Sequence, residues 1–271
     1  MPEGDSVYRA TARLHQALAG QRLIRSDFRV PQLATTDLAG YTVHEVRPRG
    51  KHLLMRLSPP EGSGQAPLTL HSHLLMDGRW DLYAPAERWK RPAHTARVTL
   101  HTVPWTAVGF DIAQLQLVPT AEEQGLVGHL GPDLLGDNWD PELAARNLLA
   151  DPERVIGEAL LDQRLLAGIG NIYRCEVLFL TRVHPLAPVG EVENLPAVIS
   201  MSHRLLQLNK DRGRRVTTGD PRTREPLWVY GRAAKPCLRC GRSVAVFKLA
   251  GQKTGMERDC YYCPNCQAMK E

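Results

Sequence analysis

The chain has 271 residues, 43% of them hydrophobic and 23% charged, a make-up that suits a globular protein with room for two cores and a small metal module. No apolar run reaches the length of a bilayer span and the N-terminus lacks the blocks of a signal peptide, so a helical membrane protein is excluded and the cytoplasm is the expected compartment. The net charge of +5 is compatible with a polyanionic partner without establishing one.

Residues 5–21, "DSVYRATARLHQALAGQ", read as an amphipathic helix. Val7, Ala10, Leu14, Ala17 and Leu18 recur at helical spacing, Asp5 or Ser6 can cap the start, and Gly20 can end it. From about residue 21 to 117 the pattern shifts to seven short strands: "RLIRSDFRV", "YTVHEVRPRG", "KHLLMRLS", "PLTLHSHL", "GRWDLYA", "ARVTLHT" and "QLQLV". Pro and Gly punctuate them, as in a sandwich or barrel. Helices return near residue 130: "PELAARNLLA" behind a capping Asp140, then "ERVIGEALLDQRLL", "IYRCEVLFLTRV" and "AVISMSHRLLQLNK". Between the second and third of these, Gly168 and Gly170 suit a tight turn, with Asn171 at the N-cap of the helix that follows. Such a turn exposes backbone N–H groups that suit a phosphate, although plain packing of a helical hairpin explains it equally well. Basic residues cluster in "KDRGRR" (210–215) and "YGRAAKPCLRCGR" (230–242).

Five of the six cysteines fall in the last 35 residues, which argues for a metal rather than disulfides. Cys237 and Cys240 form one knuckle. The second is either Cys260–Cys263 or Cys263–Cys266. The latter is favoured, because Pro264 and Asn265 supply turn chemistry while Tyr261 and Tyr262 suit a strand. Four thiolates from Cys237, Cys240, Cys263 and Cys266 fit one tetrahedral Zn²⁺ per chain, a closed structural site. "SVAVFKLA" and "RDCYY" then form a β-hairpin around a Gly-containing turn, with Arg258 well away from the metal end.

Taken in order, "MPEGD", "RGKHLLMRL", "HSHLLMDGRW", "LLDQRLLAGIGNIYRCEVL", "VYGRAAKPCLRC" and "ERDCYYCPNCQ" resemble the formamidopyrimidine-DNA glycosylase and endonuclease VIII family over essentially the whole chain, closest to the endonuclease VIII branch of actinobacterial type. The resemblance implies an α+β fold: an N-terminal β-sandwich domain with flanking helices (2–117), a helix-two-turns-helix domain (130–220) and a C-terminal zinc β-hairpin finger (229–267). It implies a monomer acting on damaged DNA, duplex above all, held between the domains, in a bacterial cytoplasm at the nucleoid.

By the same resemblance Pro2 is the nucleophile once Met1 is removed, and Glu3 the general acid–base group. Lys51 binds phosphate beside the lesion and assists catalysis, Asn171 binds phosphate, and Arg258 binds phosphate and supports δ-elimination. Met76 is inserted into the base stack when the damaged base flips out. A secondary amine at Pro2 attacks the sugar C1′ and yields an iminium ion with no N–H proton to lose, an electron sink that drives β- and then δ-elimination. The amine attacks unprotonated. An α-amine titrates at about 7.7–8.0, and a helix N-terminus behind Pro2 lowers that. Asp5 and Ser6 stand where the family carries a second acid. The region "GFDIAQLQLV" lacks the Arg-Phe pair of the purine-specific branch, which points to oxidised pyrimidines. The alternatives are an abasic-site lyase with weak base excision and a non-catalytic relative that marks damage.

Overall fold

The computed structural model describes residues 2–137, 139–250 and 257–269. Its contacts divide the chain into two compact units, Met1–His129 and Leu130–Glu271.

The first unit opens with α1 (Gly4–Leu18). Its start lies earlier than the sequence suggests: Glu3 is the N-cap and Ser6 closes the cap from inside the first turn, its hydroxyl accepting from Glu3 N at 2.9 Å and donating to Glu3 O at 2.9 Å. Gly20 takes φ +77° just beyond the helix, as a stop signal requires.

Eight strands follow, one more than the sequence reading finds: β1 (Arg25–Phe28), β2 (Thr42–Arg49), β3 (His52–Ser58), β4 (Leu68–His73), β5 (Arg79–Tyr83), β6 (Ala96–His101), β7 (Thr106–Phe110) and β8 (Gln114–Pro119). The unanticipated strand, β7, is buried at all five positions, so it lacks the in–out alternation that marks a strand in sequence. The strands form two antiparallel sheets, ordered β1-β6-β7-β5 and β2-β3-β4-β8. Between them Val43, Met55, Leu57, Leu70, Trp80, Val98 and Leu100 pack with Val7, Leu14 and Leu18 of α1 in one core. The indole N–H of Trp80 donates to Ser72 Oγ at 3.1 Å, tying β5 of one sheet to β4 of the other. Gly109 leaves room for this packing, since a Cβ there would meet Ile112 Cδ1 at 2.6 Å and Val98 Cγ1 at 2.8 Å. The short α2 (Glu123–Val127) closes the unit and anchors to β3 through the Arg56–Glu123 ion pair at 2.5 Å.

The second unit holds α3 (Pro141–Leu149), α4 (Ile156–Ala159), α5 (Asn171–Leu180) and α6 (Leu195–Asn209), then β9 (Ala245–Ala250) and β10 (Glu257–Tyr262) paired antiparallel. Asp140 caps α3 as its sequence indicates, accepting from Leu143 N at 2.9 Å. The apolar stretch "ERVIGEALLDQRLL" is not one long helix: only Ile156–Ala159 coils, and turns occupy the residues up to the glycines. Gln163 explains the break. Its amide donates to Leu161 O and Ile169 O and accepts from Gly168 N, all at 3.0 Å, stapling the turn closed. Gly168 takes φ +107°, while Gly170 is extended and serves as the N-cap of α5, so Asn171 is the first helical residue rather than the cap. The Gly-containing turn expected between β9 and β10, and Met1, lie outside the described residues. No described helix is long and apolar enough to cross a membrane.

Candidate functional site

In the first unit, Pro2 and Glu3 stand at the mouth of α1. Pro2 is half-buried, Glu3 is fully buried, and the cap bonds to Ser6 fix the Glu3 backbone. Asp5, in the first turn, is also fully buried and pairs with Arg9 at 3.6 Å, one turn on. The positive end of the helix dipole thus faces the residue that would carry a free amine.

Lys51 is not at a strand start but in a two-residue turn. Arg49 pairs with His52 across it, and Gly50 adopts φ +59° at the first central position, the demand of a type II′ hairpin. Register carries this tip to a second element. His52 pairs with His73 at the end of β4, so Lys51 and the loop 74–78 leave the sheet at the same end. That loop carries Met76, 56% exposed, next to Leu75, which is 41% exposed and held at φ +49°. Left-handed backbone at a leucine is strained, and the loop sustains it by two bonds: Leu75 N donates to His73 Nδ1 at 3.1 Å and Gly78 N to Leu74 O at 2.9 Å. Gly78 is required there, because a Cβ would come within 2.5 Å of Leu74 O. Leu75 is a projecting side chain that the sequence reading passed over. Its signal was the apolar "LLM" directly before a turn-forming "DG".

A histidine cluster lies under this end of the sheet and was also missed. His52 Nδ1 meets His71 Nε2 at 2.8 Å, and His71 Nδ1 meets Gln116 Oε1 at 3.1 Å. A carbonyl oxygen only accepts, so His71 donates from Nδ1 and accepts at Nε2 from His52. His73 lies edge-on to His52 with ring centroids 4.7 Å apart, and His129 at 6.3 Å. Burial, reinforced by the His73, His71, His129 and Lys51 charges, pushes His52 down to about 3. Burial and then Lys51 push His73 down to about 4. At neutral pH these imidazoles beside Lys51 are therefore uncharged.

In the second unit the structure brings Asn171 and the Arg258 strand together. Asn171 Nδ2 donates to Asp259 O at 2.9 Å, and the wholly buried Arg174 donates from Nη2 to both Asn171 Oδ1 and Asp259 O. Arg258, half-buried, is therefore one residue from the carbonyl that holds Asn171. One turn along α5, Glu176 is fully buried. Its Oε1 accepts from Val229 N and Tyr230 N, both at 2.9 Å, and its Oε2 from Trp228 N at 2.7 Å and from the Thr217 hydroxyl. Burial raises this carboxyl and the donors oppose the rise. Glu176 thereby clamps the segment that leads into the first cysteine knuckle. Neither Arg174 nor Glu176 emerged from the sequence, since charged residues inside an apolar helix pattern give no hint of distant backbone partners.

The ligating atoms of Cys237, Cys240, Cys263 and Cys266 all lie within 4.8 Å of one another. The Cys240–Cys263 and Cys237–Cys266 sulfurs are 3.5 and 4.0 Å apart, close to the roughly 3.8 Å edge of a tetrahedron with about 2.3 Å metal–sulfur bonds. Arg239 N points at Cys237 Sγ from 3.4 Å, as knuckle backbone does toward a thiolate. The group can hold a metal ion. Cys260 is not part of it: the strand carries it, buried, against Cys175 of α5, with Tyr261 N donating to Cys175 Sγ at 3.4 Å. The Cys263–Cys266 frame is thus the one that joins the first knuckle.

Comparison with known proteins matches residues 1–112 to the N-terminal domain of formamidopyrimidine-DNA glycosylase and residues 130–206 to the H2TH domain of the same enzyme. The chain is 56% identical to a Streptomyces coelicolor protein named "Probable endonuclease 8 2", over 99% of this chain and 94% of that one. It is 43% identical to the Mycolicibacterium smegmatis DNA-(apurinic or apyrimidinic site) lyase Nei2, over 98% and 99%. Among solved structures it is similar to the Lactococcus lactis formamidopyrimidine-DNA glycosylase bound to DNA containing an abasic site, with 25% identity, a TM-score of 0.80, and 99% and 100% of the two chains covered.

Proposed function

The chain belongs to the formamidopyrimidine-DNA glycosylase and endonuclease VIII family, and from that premise we infer how its residues divide the work of a bifunctional base-excision repair glycosylase and abasic-site lyase. Its partner is damaged DNA. The observation that carries the assignment of the chemistry is the Pro2–Glu3 pair, set at the N-terminus of α1 with Glu3 buried.

With Met1 removed, the Pro2 nitrogen is a secondary amine. It forms a bond to C1′ as the glycosidic bond breaks, and the base departs with the bonding pair and a proton. Glu3 delivers and recovers the protons at the sugar, as a general acid–base group. The nitrogen then loses its proton, Glu3 protonates O4′, and the C1′–O4′ bond breaks with its pair going to oxygen, so the nitrogen lone pair forms C=N and the product is a ring-opened iminium ion without an N–H hydrogen. It acidifies the C2′ hydrogen, whose loss expels the 3′ phosphate, and a second elimination expels the 5′ phosphate. The helix dipole behind Pro2 disfavours its protonated form. Lys51, at the tip of a rigid hairpin among uncharged imidazoles, offers its ammonium to the phosphate beside the lesion. Met76 occupies the gap left by the flipped base, and the exposed Leu75 flanks it. In the second unit Asn171 and Arg258 bind phosphate, and Arg258 supports the δ-elimination.

The four-cysteine group takes zinc. Four thiolates leave no open position, so the ion's contribution is to fix the strand pair that carries Arg258. We assign oxidised pyrimidines as the favoured bases, on the absence of the Arg-Phe pair in residues 109–118. Duplexes carrying thymine glycol, 5-hydroxyuracil, 8-oxoguanine or an abasic site, cut by the processed protein, test this. Faster excision of the two pyrimidine lesions is expected, and faster excision of 8-oxoguanine would reverse the assignment. Cleavage confined to the abasic duplex would favour the lyase with weak base excision.

A further inference from the structure

A second feature of the first unit is lined by none of Pro2, Glu3, Lys51 or Met76. A cavity of about 420 Å³ opens between α1, β5 and the segment after β5. That volume lies in the range of small-ligand sites. Arg13 comes from α1, Arg79 from β5, and Lys90 and Arg91 from the following segment. The one carboxylate in the lining is Asp81, which leaves an excess of three positive charges facing one space.

Two of these four cations are paired in place and two are not, which leaves a net excess of two positive charges once Asp111 is counted. Asp81 is already held by Arg79, at 2.9 Å from Nε and 2.6 Å from Nη2. Arg91 reaches Asp111, outside the lining, at 3.4 Å. Arg13 and Lys90 make no ion pair among the described residues. Their positions are nonetheless built. Tyr83, buried at the base of the cavity, accepts the backbone N–H of Lys90 at 3.2 Å and points its hydroxyl at Asp81 Oδ2 from 3.5 Å. Arg79 is fixed by Asp81, and Arg13 by the helix that buries Leu14 beside it. A concave site with a net positive lining focuses potential and draws a counter-ion.

The donor set selects the ligand. The Arg79 fork is taken up by Asp81, but the Arg13 and Arg91 guanidiniums present planar forks that match phosphate oxygens in pairs, and the Lys90 ammonium adds a point charge. A single carboxylate would leave part of the positive excess unmet. We propose that this cavity is an oligophosphate-binding site, for a ligand bearing two or more phosphate groups, whether the chain of a free nucleotide or successive phosphodiesters of a nucleic-acid strand.

Calorimetric titration of the full, zinc-loaded chain with inorganic pyrophosphate and with ATP tests the free form. Duplexes with the same abasic site and short or long flanks test the strand form. The variant is R13E/K90E, with R25E as a charge reversal on a strand edge away from the cavity. Because neither Arg13 nor Lys90 belongs to the repair site, cleavage of the short abasic duplex stays at the wild-type rate in every variant. Loss of about tenfold or more in pyrophosphate and ATP affinity by R13E/K90E but not R25E is expected for a free ligand. The same loss confined to the long-flank duplex identifies the strand as the source. The proposal is overturned if neither pyrophosphate binding nor long-flank affinity responds to R13E/K90E beyond the response to R25E. K90A alone, which removes one charge from an exposed side chain, should give the same ranking with a smaller loss.

Discussion

Glu176→Gln probes the clamp at the centre of the second unit. The carboxylate is wholly buried and accepts four hydrogen bonds, two at each oxygen. Glutamine keeps the oxygen that serves Val229 N and Tyr230 N and sets an NH₂ in place of the other; the Thr217 hydroxyl can turn to accept from that NH₂ and donate to Pro226 O, 3.3 Å away, but Trp228 N loses its acceptor and faces another donor. A buried unpaired donor costs about 1–3 kcal/mol, which puts the loss at roughly 2 kcal/mol. For a unit of this length that is a fall in melting temperature of about 6 °C, at roughly 3 °C per kcal/mol. The released segment is 217–230, so the damage is local first. Native-state hydrogen exchange reads it directly, with the Trp228, Val229 and Tyr230 amides losing protection while the β2–β3 ladder of the first unit keeps its own. A loss under about 1 kcal/mol, with those three amides still protected, would refute the clamp.

The histidine cluster makes the first unit acid-sensitive. His52 titrates at about 3 and His73 at about 4 in the folded chain, both lowered by burial, against 6.5 when unfolded. As pH falls below 6.5 the unfolded chain takes up these protons first, so stability is full above that value and declines toward pH 4. Between pH 7 and 5 the decline is about 2–4 kcal/mol, measured by urea denaturation, and H52Q/H73Q should halve it or better. An unchanged midpoint over that range would show that the imidazoles are solvated. Chelation should remove one zinc per chain, counted by mass spectrometry of the metal, and raise exchange at the β9–β10 amides, with C240S already depleted of metal as purified. Full occupancy in C240S would mean that the four sulfurs are not the ligand set.

Much of the architecture was legible because its signals are local. Asp140 before Pro141 starts α3, Gly20 stops α1, and Pro264-Asn265 selects the correct cysteine frame. What escaped depends on tertiary partners. The wholly buried β7 has no alternation to betray it. The helix read through residues 153–166 ends early because Gln163 diverts three backbone groups into a turn. Pro2, Glu3, Lys51 and Met76 stand out in the sequence as candidates by their motifs, but the restraints around them in the first unit do not: the Ser6 cap, the Gly50 turn and the strained Leu75. In the second unit the Arg174 bonds that tie Asn171 to the Arg258 strand are equally invisible. Charged side chains whose partners are carbonyls and amides dozens of residues away leave no periodic trace in a sequence.

The most direct test of the account is covalent capture. The processed chain is incubated with a duplex containing one abasic site in the presence of borohydride, and the adduct is digested and mapped by mass spectrometry. A stable adduct is expected on the N-terminal peptide, bonded through the Pro2 nitrogen and lost in P2G or in protein that retains Met1. No adduct from the processed wild-type chain, or an adduct mapped to a lysine such as Lys51, would contradict it.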